Sequence, residues 1–264
     1  MKSIIDLVII LMAIFGQTFG YPISVEENDP EQGDYFEGDI ILSPEQKLAI
    51  EGNSRNGLIA ERYRWPNKTI LYRFADGHFD ASHKHSILIG MQTIENVSCI
   101  RFIPVEITTK TGFINITSEP GCRSNVGYRR RIQNLNLSRG CFRPGTIVHE
   151  LLHSVGFYHQ QSAADRDEFV RIAYENISSG REHNFNKYSS SVVGDFGYAY
   201  DYGSIMHYGP KSFSKNGNNT IIPIPNPNVR IGQRDGLSWK DIQKVNAMYK
   251  CPVRPKGYFE RLRL

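Results

Sequence analysis

The sequence of 264 residues predicts an α+β fold. Three observations lead there: strand-like runs around one amphipathic helix in the first half, a loop-rich stretch between His159 and Ser238, and a capped helix near the end. With 40% hydrophobic and 22% charged residues the chain has the material for a core, which excludes wholesale disorder.

Thr69 to Phe74 (TILYRF), Cys99 to Ile107 (CIRFIPVEI) and Gly112 to Thr117 (GFINIT) are β-branched and aromatic runs bounded by turn residues, and read as strands. Between the first two, Ile87, Met91, Ile94 and Val97 recur at three- and four-residue spacing, so a helix is expected over Ser82 to Val97. Another should open at Pro144, whose fixed φ suits a first helical turn, and stop at Gly156, which can take a positive φ. The last opens at Ser238, where Ser-Trp-Lys-Asp is a capping box with Asp in place of Glu, and should bury Ile242, Val245 and Tyr249. No internal repeat or low-complexity segment is present in the body of the chain.

The only long apolar run, Leu7 to Gly16, is too short to span a bilayer. With Lys2 before it and Thr18-Phe19-Gly20 after it, residues 1–20 read as a signal peptide, and the mature chain is expected to be secreted. Four cysteines and six Asn-x-Ser/Thr sequons, at Asn67, Asn96, Asn115, Asn136, Asn176 and Asn218, agree with an oxidising, glycosylating route. The net charge of +4 hides a split: residues 21–55 hold nine acids against Lys47 and Arg55, whereas residues 56–264 hold 28 Lys and Arg against 17 Asp and Glu. An acidic segment ahead of a basic body, with Asn53-Ser54-Arg55 at the junction, reads as a propeptide (21–55) that docks by charge and is removed by a protease cutting after Arg55. Residues 56–251 would then be the working domain and 252–264 a short basic tail, too brief for an accessory module. Arg129-Arg130-Arg131 lacks an aromatic stacking ladder, so it reads as a solvated loop and no nucleic-acid partner is expected. No membrane partner is expected either, and the chain is expected to be a monomer.

The chemistry concentrates at His149, Glu150, His153, Gly156 and His159. In a helix His149 and His153 lie one turn apart on one face, so both imidazoles can reach one metal ion, with Glu150 beside them. A turn at Gly156 can bring His159 back as a third ligand. Three neutral imidazoles leave a fourth zinc position to water, the mark of a catalytic site. His78, His83, His85, His183 and His207 have no ligand spacing to this motif and read as surface or packing residues.

This extended motif resembles a metzincin, and Gly156-Phe157-Tyr158-His159 with Ser204-Ile205-Met206-His207-Tyr208 resembles the astacin family of zinc metalloendopeptidases. Phe36-Glu37-Gly38-Asp39 resembles its propeptide switch, Asn56 through Trp65-Pro66 its mature start, and Gly121-Cys122 to Gly140-Cys141 its short disulfide loop. Ile231-Gly232-Gln233-Arg234, Asp241-Ile242 and Tyr249-Lys250-Cys251 resemble its C-terminal end. The resemblance implies a two-lobed catalytic domain, with a twisted sheet and two helices in the N-terminal lobe and a mostly irregular C-terminal lobe ending in a helix. It implies one zinc ion on His149, His153 and His159, with Asp39 taking the water's place in the zymogen. Glu150 would be the general base acting on the zinc-bound water, Met206 would lie beneath the metal, and Tyr208 would steady the oxyanion. Four cysteines allow three pairings, of which the family pattern selects Cys99 with Cys251 and Cys122 with Cys141.

The implied activity is hydrolysis of protein or peptide substrates without a covalent intermediate, inhibited by the chain's own propeptide until cleavage. Arg143 and Arg234, placed like basic pocket residues of relatives, would favour Asp or Glu just after the scissile bond. One departure is Gln160, where the family usually has a glutamate that anchors the freshly cut N-terminus. Two other classes remain: a catalytically inactive, zinc-stabilised secreted binding protein, and a basic glycan- or matrix-binding domain. The complete ligand set with Glu150 speaks against the first, and chelator-sensitive proteolysis would separate the enzyme from the second.

Overall fold

The structure, a computed structural model, describes residues 33–50, 61–189 and 194–252. The signal-peptide reading of residues 1–20, the cleavage site at Arg55 and the tail from residue 253 lie outside the described residues. Strand β1 (Ile40–Ile41) and helix α1 (Pro44–Ile50) come first, then β2 (Thr69–Phe74), α2 (Ala81–Val97), β3 (Arg101–Pro104) and β4 (Ile114–Thr117). β5 (Cys122–Asn125), β6 (Gln133–Leu137) and α3 (Pro144–Val155) complete the first lobe.

The six strands form one mixed sheet in the order β1-β5-β6-β4-β2-β3, in which only β5 and β6 are antiparallel. β2 coincides with its apolar run; β3 and β4 are shorter than theirs, because pairing to β2 ends at Pro104 and begins at Ile114. β5 (CRSN) and β6 (QNLNL) carry no apolar strand pattern, and it is their ladder hydrogen bonds that make them strands. Asn136 on β6 is fully buried: its amide donates to the carbonyls of Glu119 and Gly121, and its oxygen accepts from Thr117 and the Glu119 N–H. That sequon cannot carry a glycan without undoing the sheet.

α2 and α3 pack on each other and on the sheet around Ile70, Ile87, Ile94, Ile116, Leu135 and Leu151, all wholly buried. Close approach is built into α2: a Cβ on Gly90 would lie 2.6 Å from Ile147 Cγ2. The helix stripe is therefore Ile87, Gly90, Met91 and Ile94, with Val97 half-buried.

The second lobe has its own smaller core, including Ile177, Phe185, Tyr208, Phe213 and Ile221. Its regular structure is β7 (Val170–Ile172) paired antiparallel with β8 (Ile221–Pro223) amid 3-10 turns and loops, as the loop-rich sequence predicts. Helix α4 (Trp239–Met248) then returns to the first core with Val245 and Met248. The inward face of α4 differs from expectation: Ile242 is only half-buried, whereas Asp241 and Lys244 are buried. Cys99–Cys251 ties the end of α4 to the start of β3, and Cys122–Cys141 ties β5 to the loop before α3. The architecture is the two-lobed α+β arrangement expected from the sequence.

Candidate active site

The site is built on α3. Pro144 opens this helix, every residue from Gly145 to Val155 is buried, and Gly156 ends it at φ 131° with its N–H on the carbonyls of Leu152 and His153. His149 and His153 thus share a face, and the Gly156 turn returns His159 to them. Their Nε2 atoms converge: His149 lies 3.2 Å from His153 and 3.3 Å from His159. Each Nδ1–H is committed elsewhere, His149 to the Ile205 carbonyl at 2.9 Å, His153 to the Phe157 carbonyl at 2.7 Å and His159 to the Glu37 carboxylate at 2.9 Å. Because those partners only accept, the Nε2 atoms carry the lone pairs. Three buried lone pairs facing one another repel unless a cation lies between them, so the donor set fits a metal ion.

The fourth ligand atom comes from outside the body. Asp39, which precedes β1, places its oxygens 3.1 Å from His149, 3.4 Å from His153 and 3.3 Å from His159, and the four ligand atoms lie within 4.8 Å of one another. When no cation lies between the rings, protons on the imidazoles supply the positive charge instead: burial alone would raise the Asp39 carboxyl, but protonated His159 and His153, with hydrogen bonds from the imidazoles, hold it well below the usual carboxylate range. Glu150 goes the other way: burial first, and then the Asp39 charge, push its carboxyl well above its ordinary value. Neither Glu150 oxygen has a hydrogen-bond partner among the described residues, so its carboxyl is free to serve a small polar guest beside the triad.

The segment carrying Asp39 is anchored along its length. Asp34 pairs with Arg181, and β1 lies parallel on β5 with Ile40 opposite Ser124. Arg129 reaches the Ile41 carbonyl at 3.5 Å, so this arginine is half-buried against the segment, while Arg130 and Arg131 are exposed as expected of a solvated loop. Glu37 turns inward at φ 45° and its carbonyl accepts the Tyr208 hydroxyl at 2.8 Å.

The turn from Ser204 to Tyr208 forms the floor. Its Ile205 carbonyl orients His149, and its Met206 carbonyl takes the Gln160 N–H at 2.9 Å. Asp241 at the start of α4 fixes this turn: it accepts from Ser204 Oγ at 2.6 Å, from Ile205 N–H at 2.9 Å and, as the capping box, from Ser238 N–H at 2.9 Å. The cap of the terminal helix therefore also positions an imidazole that faces the metal. The Tyr208 ring packs 4.7 Å from that of His159.

Residues 58–250 match the family described as Astacin (Peptidase family M12A). The chain belongs to the astacin family. It is thus a zinc metalloendopeptidase, and its cluster of three histidines with Asp39 fits one zinc ion. Zinc metalloproteinase nas-4 of Caenorhabditis elegans is 36% identical over 239 residues, 89% of this chain and 74% of that protein. Seminal metalloprotease 1 of Drosophila melanogaster is 40% identical over 233 residues, 85% of this chain and 90% of that one. Among solved structures, high choriolytic enzyme 1, a hatching enzyme zinc-protease of the medaka Oryzias latipes, aligns with a TM-score of 0.68 at 38% identity, covering 73% of this chain and 97% of that one.

Within this astacin the remaining sequence candidates fall in distinct places. Arg234 is buried, its guanidinium on the carbonyls of His207 and Gln233, and Arg143 lies half-open at the N-terminus of α3. Gln160 accepts from the buried Lys244 ammonium at 2.7 Å. His207 is buried as a packing residue, donating Nδ1–H to the Tyr208 carbonyl and accepting from Tyr200; burial lowers its pKa to about 4. Sequence reasoning missed the contacts of Glu37 with Ser162 and Tyr188, and the second duty of Asp241. Asp241 left a signal as the capping-box acid and Glu37 as a member of the Phe36–Asp39 motif, whereas Ser162 and Tyr188 left none.

Proposed function

We propose that this astacin is made as a secreted zymogen and hydrolyses peptide bonds with Glu150 as general base once the acidic segment is removed. The observation that carries the reading is Asp39 seated among the three imidazoles, with Glu150 next to His149 along α3. His149, His153 and His159 would hold zinc through Nε2. When bound, zinc lowers the pKa of a water and polarises the scissile carbonyl. Glu150 takes the water's proton and passes it to the leaving amine. Tyr208, released from the Glu37 carbonyl when the segment departs, gives its hydroxyl to the developing oxyanion.

Latency follows from the same contacts. Asp39 excludes water and Glu37 engages Tyr208, so one short segment blocks both catalytic groups. Cleavage after Arg55 would free it. Two disulfides and sequons on surface-accessible asparagines such as Asn67, Asn96 and Asn218 support a secretory route, with glycans at accessible sites only. No helix among the described residues is long and apolar enough to cross a membrane.

The test is casein digestion by the full chain and by protein cut after Arg55, each with and without chelator. Only the cut, metal-loaded form should digest. Glu150→Ala should bind zinc and unfold at the wild-type temperature yet lose turnover by at least about a hundredfold, the contribution of a positioned general base. A variant within a few fold of wild type would remove Glu150 from that role.

A further inference from the structure

Two residues before Asp39, Glu37 is buried to 1% exposure in a pocket that belongs to the body. Its Oε1 accepts from Ser162 Oγ at 2.6 Å and from the Tyr188 hydroxyl, and its Oε2 accepts from His159 Nδ1–H at 2.9 Å. All three donors are themselves buried. Contacts within the body hold them as well: Tyr188 N–H binds the Ser162 carbonyl at 2.8 Å, Gln160 N–H binds the Met206 carbonyl, and the Tyr188 ring rests edge-on against Tyr158 at 5.2 Å, in a cluster that Ile40 of the segment also joins. Buried donors that lose an acceptor are costly, so such a cluster favours a carboxylate whenever one can reach it.

The segment crosses the imidazole triad, with β1 on the β5 edge to one side and Glu37 in this pocket to the other. We infer that Ser162, Tyr188 and His159 Nδ1–H form a specificity socket for a glutamate side chain of the substrate, occupied by Glu37 in the latent chain. The inference rests on the reading that the Asp39 segment blocks the substrate path. Glutamate fits because Glu37 spans the distance with two methylenes; aspartate is one methylene too short. Glutamine presents an NH2 where Ser162 and Tyr188, or His159, need an acceptor. The selectivity therefore comes from two hydroxyls and an imidazole N–H rather than from a guanidinium fork.

The test uses zinc-loaded protein cut after Arg55, whose main core draws on no residue before Trp65; because Ile40 packs in the smaller cluster of Tyr158 and Tyr188, a melting curve of the cut protein first checks that the body stays folded. Calorimetry measures binding of the hexapeptide Phe-Glu-Gly-Asp-Ile-Ile, residues 36–41, and of versions carrying Glu37→Gln, Glu37→Asp or Asp39→Ala. The Gln and Asp versions should bind about tenfold more weakly or worse, as expected for a lost hydrogen bond to a charged group. In the Tyr188→Phe body, which keeps the ring, the gap between the Glu and Gln peptides should shrink. Equal binding of the Glu and Gln peptides to wild-type protein would overturn the socket. Undiminished binding of the Asp39→Ala peptide with the Glu preference intact would overturn the latency reading and support the socket. On a peptide library the cut enzyme should enrich Glu over Gln and Asp at one position flanking the scissile bond. No enrichment there would remove the substrate role.

Discussion

Asp241→Ala tests whether the cap of the last helix holds the metal site together. The substitution removes the acceptor of Ser204 Oγ, Ile205 N–H and Ser238 N–H. Ser238 is half-exposed and can turn to water, but Ser204 is 1% exposed, and the Ile205 N–H is buried beside it. Two buried donors left without acceptors cost about 4 kcal/mol together. Removal of the buried carboxylate, whose pKa burial raises, offsets part of that. A net loss of about 3 kcal/mol corresponds to a fall in Tm on the order of 10 °C for a domain of this size. Because the Ile205 carbonyl orients His149, zinc affinity in a chelator competition should fall by about ten- to a hundredfold as well. Asp241→Asn, which keeps one acceptor oxygen, should recover more than half of both losses. If Tm drops while zinc affinity stays at the wild-type value, the mechanical link from α4 to His149 does not exist.

The same carboxylate gives a pH signature. A folded pKa raised by burial means that the native state holds its proton longer than the unfolded chain, so this contribution to stability is present at low pH and lost as pH rises above the ordinary aspartate value.

Further expectations concern that titration, the entry of α3, the switch and the metal. Melting curves of wild type and Asp241→Asn across acidic pH should show the wild-type advantage shrinking as pH rises; a constant difference would mean that the pKa is not raised. Gly145→Ala would put a Cβ 1.9 Å from the Arg234 carbonyl oxygen, so the backbone must shift, and thermal unfolding should report a loss of about 3 kcal/mol. An unchanged Tm would show that the 231–236 segment does not press on the helix start. Full-length Asp39→Ala should digest casein measurably faster than the uncut wild type yet more slowly than protein cut after Arg55, because Glu37 still holds Tyr208, and latency equal to wild type would disprove a switch at Asp39. Stripping zinc with a chelator should lower Tm and abolish digestion, and zinc should restore both, because an ion held only by the native state stabilises it by mass action.

The fold was legible where pattern and burial agree. β2, α2, α3 and the start of α4 lie where periodicity, Pro144, Gly156 and Ser238 place them, since caps and apolar stripes are local properties of the chain. β5 and β6 were not legible. Most of their side chains are polar, with Leu135 and Leu137 of β6 the apolar exceptions, and their identity as strands depends on pairing with β4 and with each other. The face of α4 was misread for a related reason: a hydrophobic count assigns Ile242 inward, but Asp241 and Lys244 find polar partners at Ser204 and Gln160 that make their burial tolerable.

By itself the sequence determined which atoms can face a metal: a helix repeat of 3.6 residues aligns His149 with His153, and a glycine stop lets His159 follow. It also determined the carriers of charge, with the acids gathered ahead of a basic body. The family pattern marks Asp39 for the triad; only the tertiary structure decided the partners of Glu37 and the separations these contacts cross. Asp39 lies on the triad 110 residues away from His149 in sequence, and Glu37 meets Ser162 and Tyr188 across separations of 125 and 151 residues. Contacts between segments so far apart have no local periodicity to announce them; they exist because the sheet edge at β5 and the turn at Gly156 bring the two stretches of chain to one place.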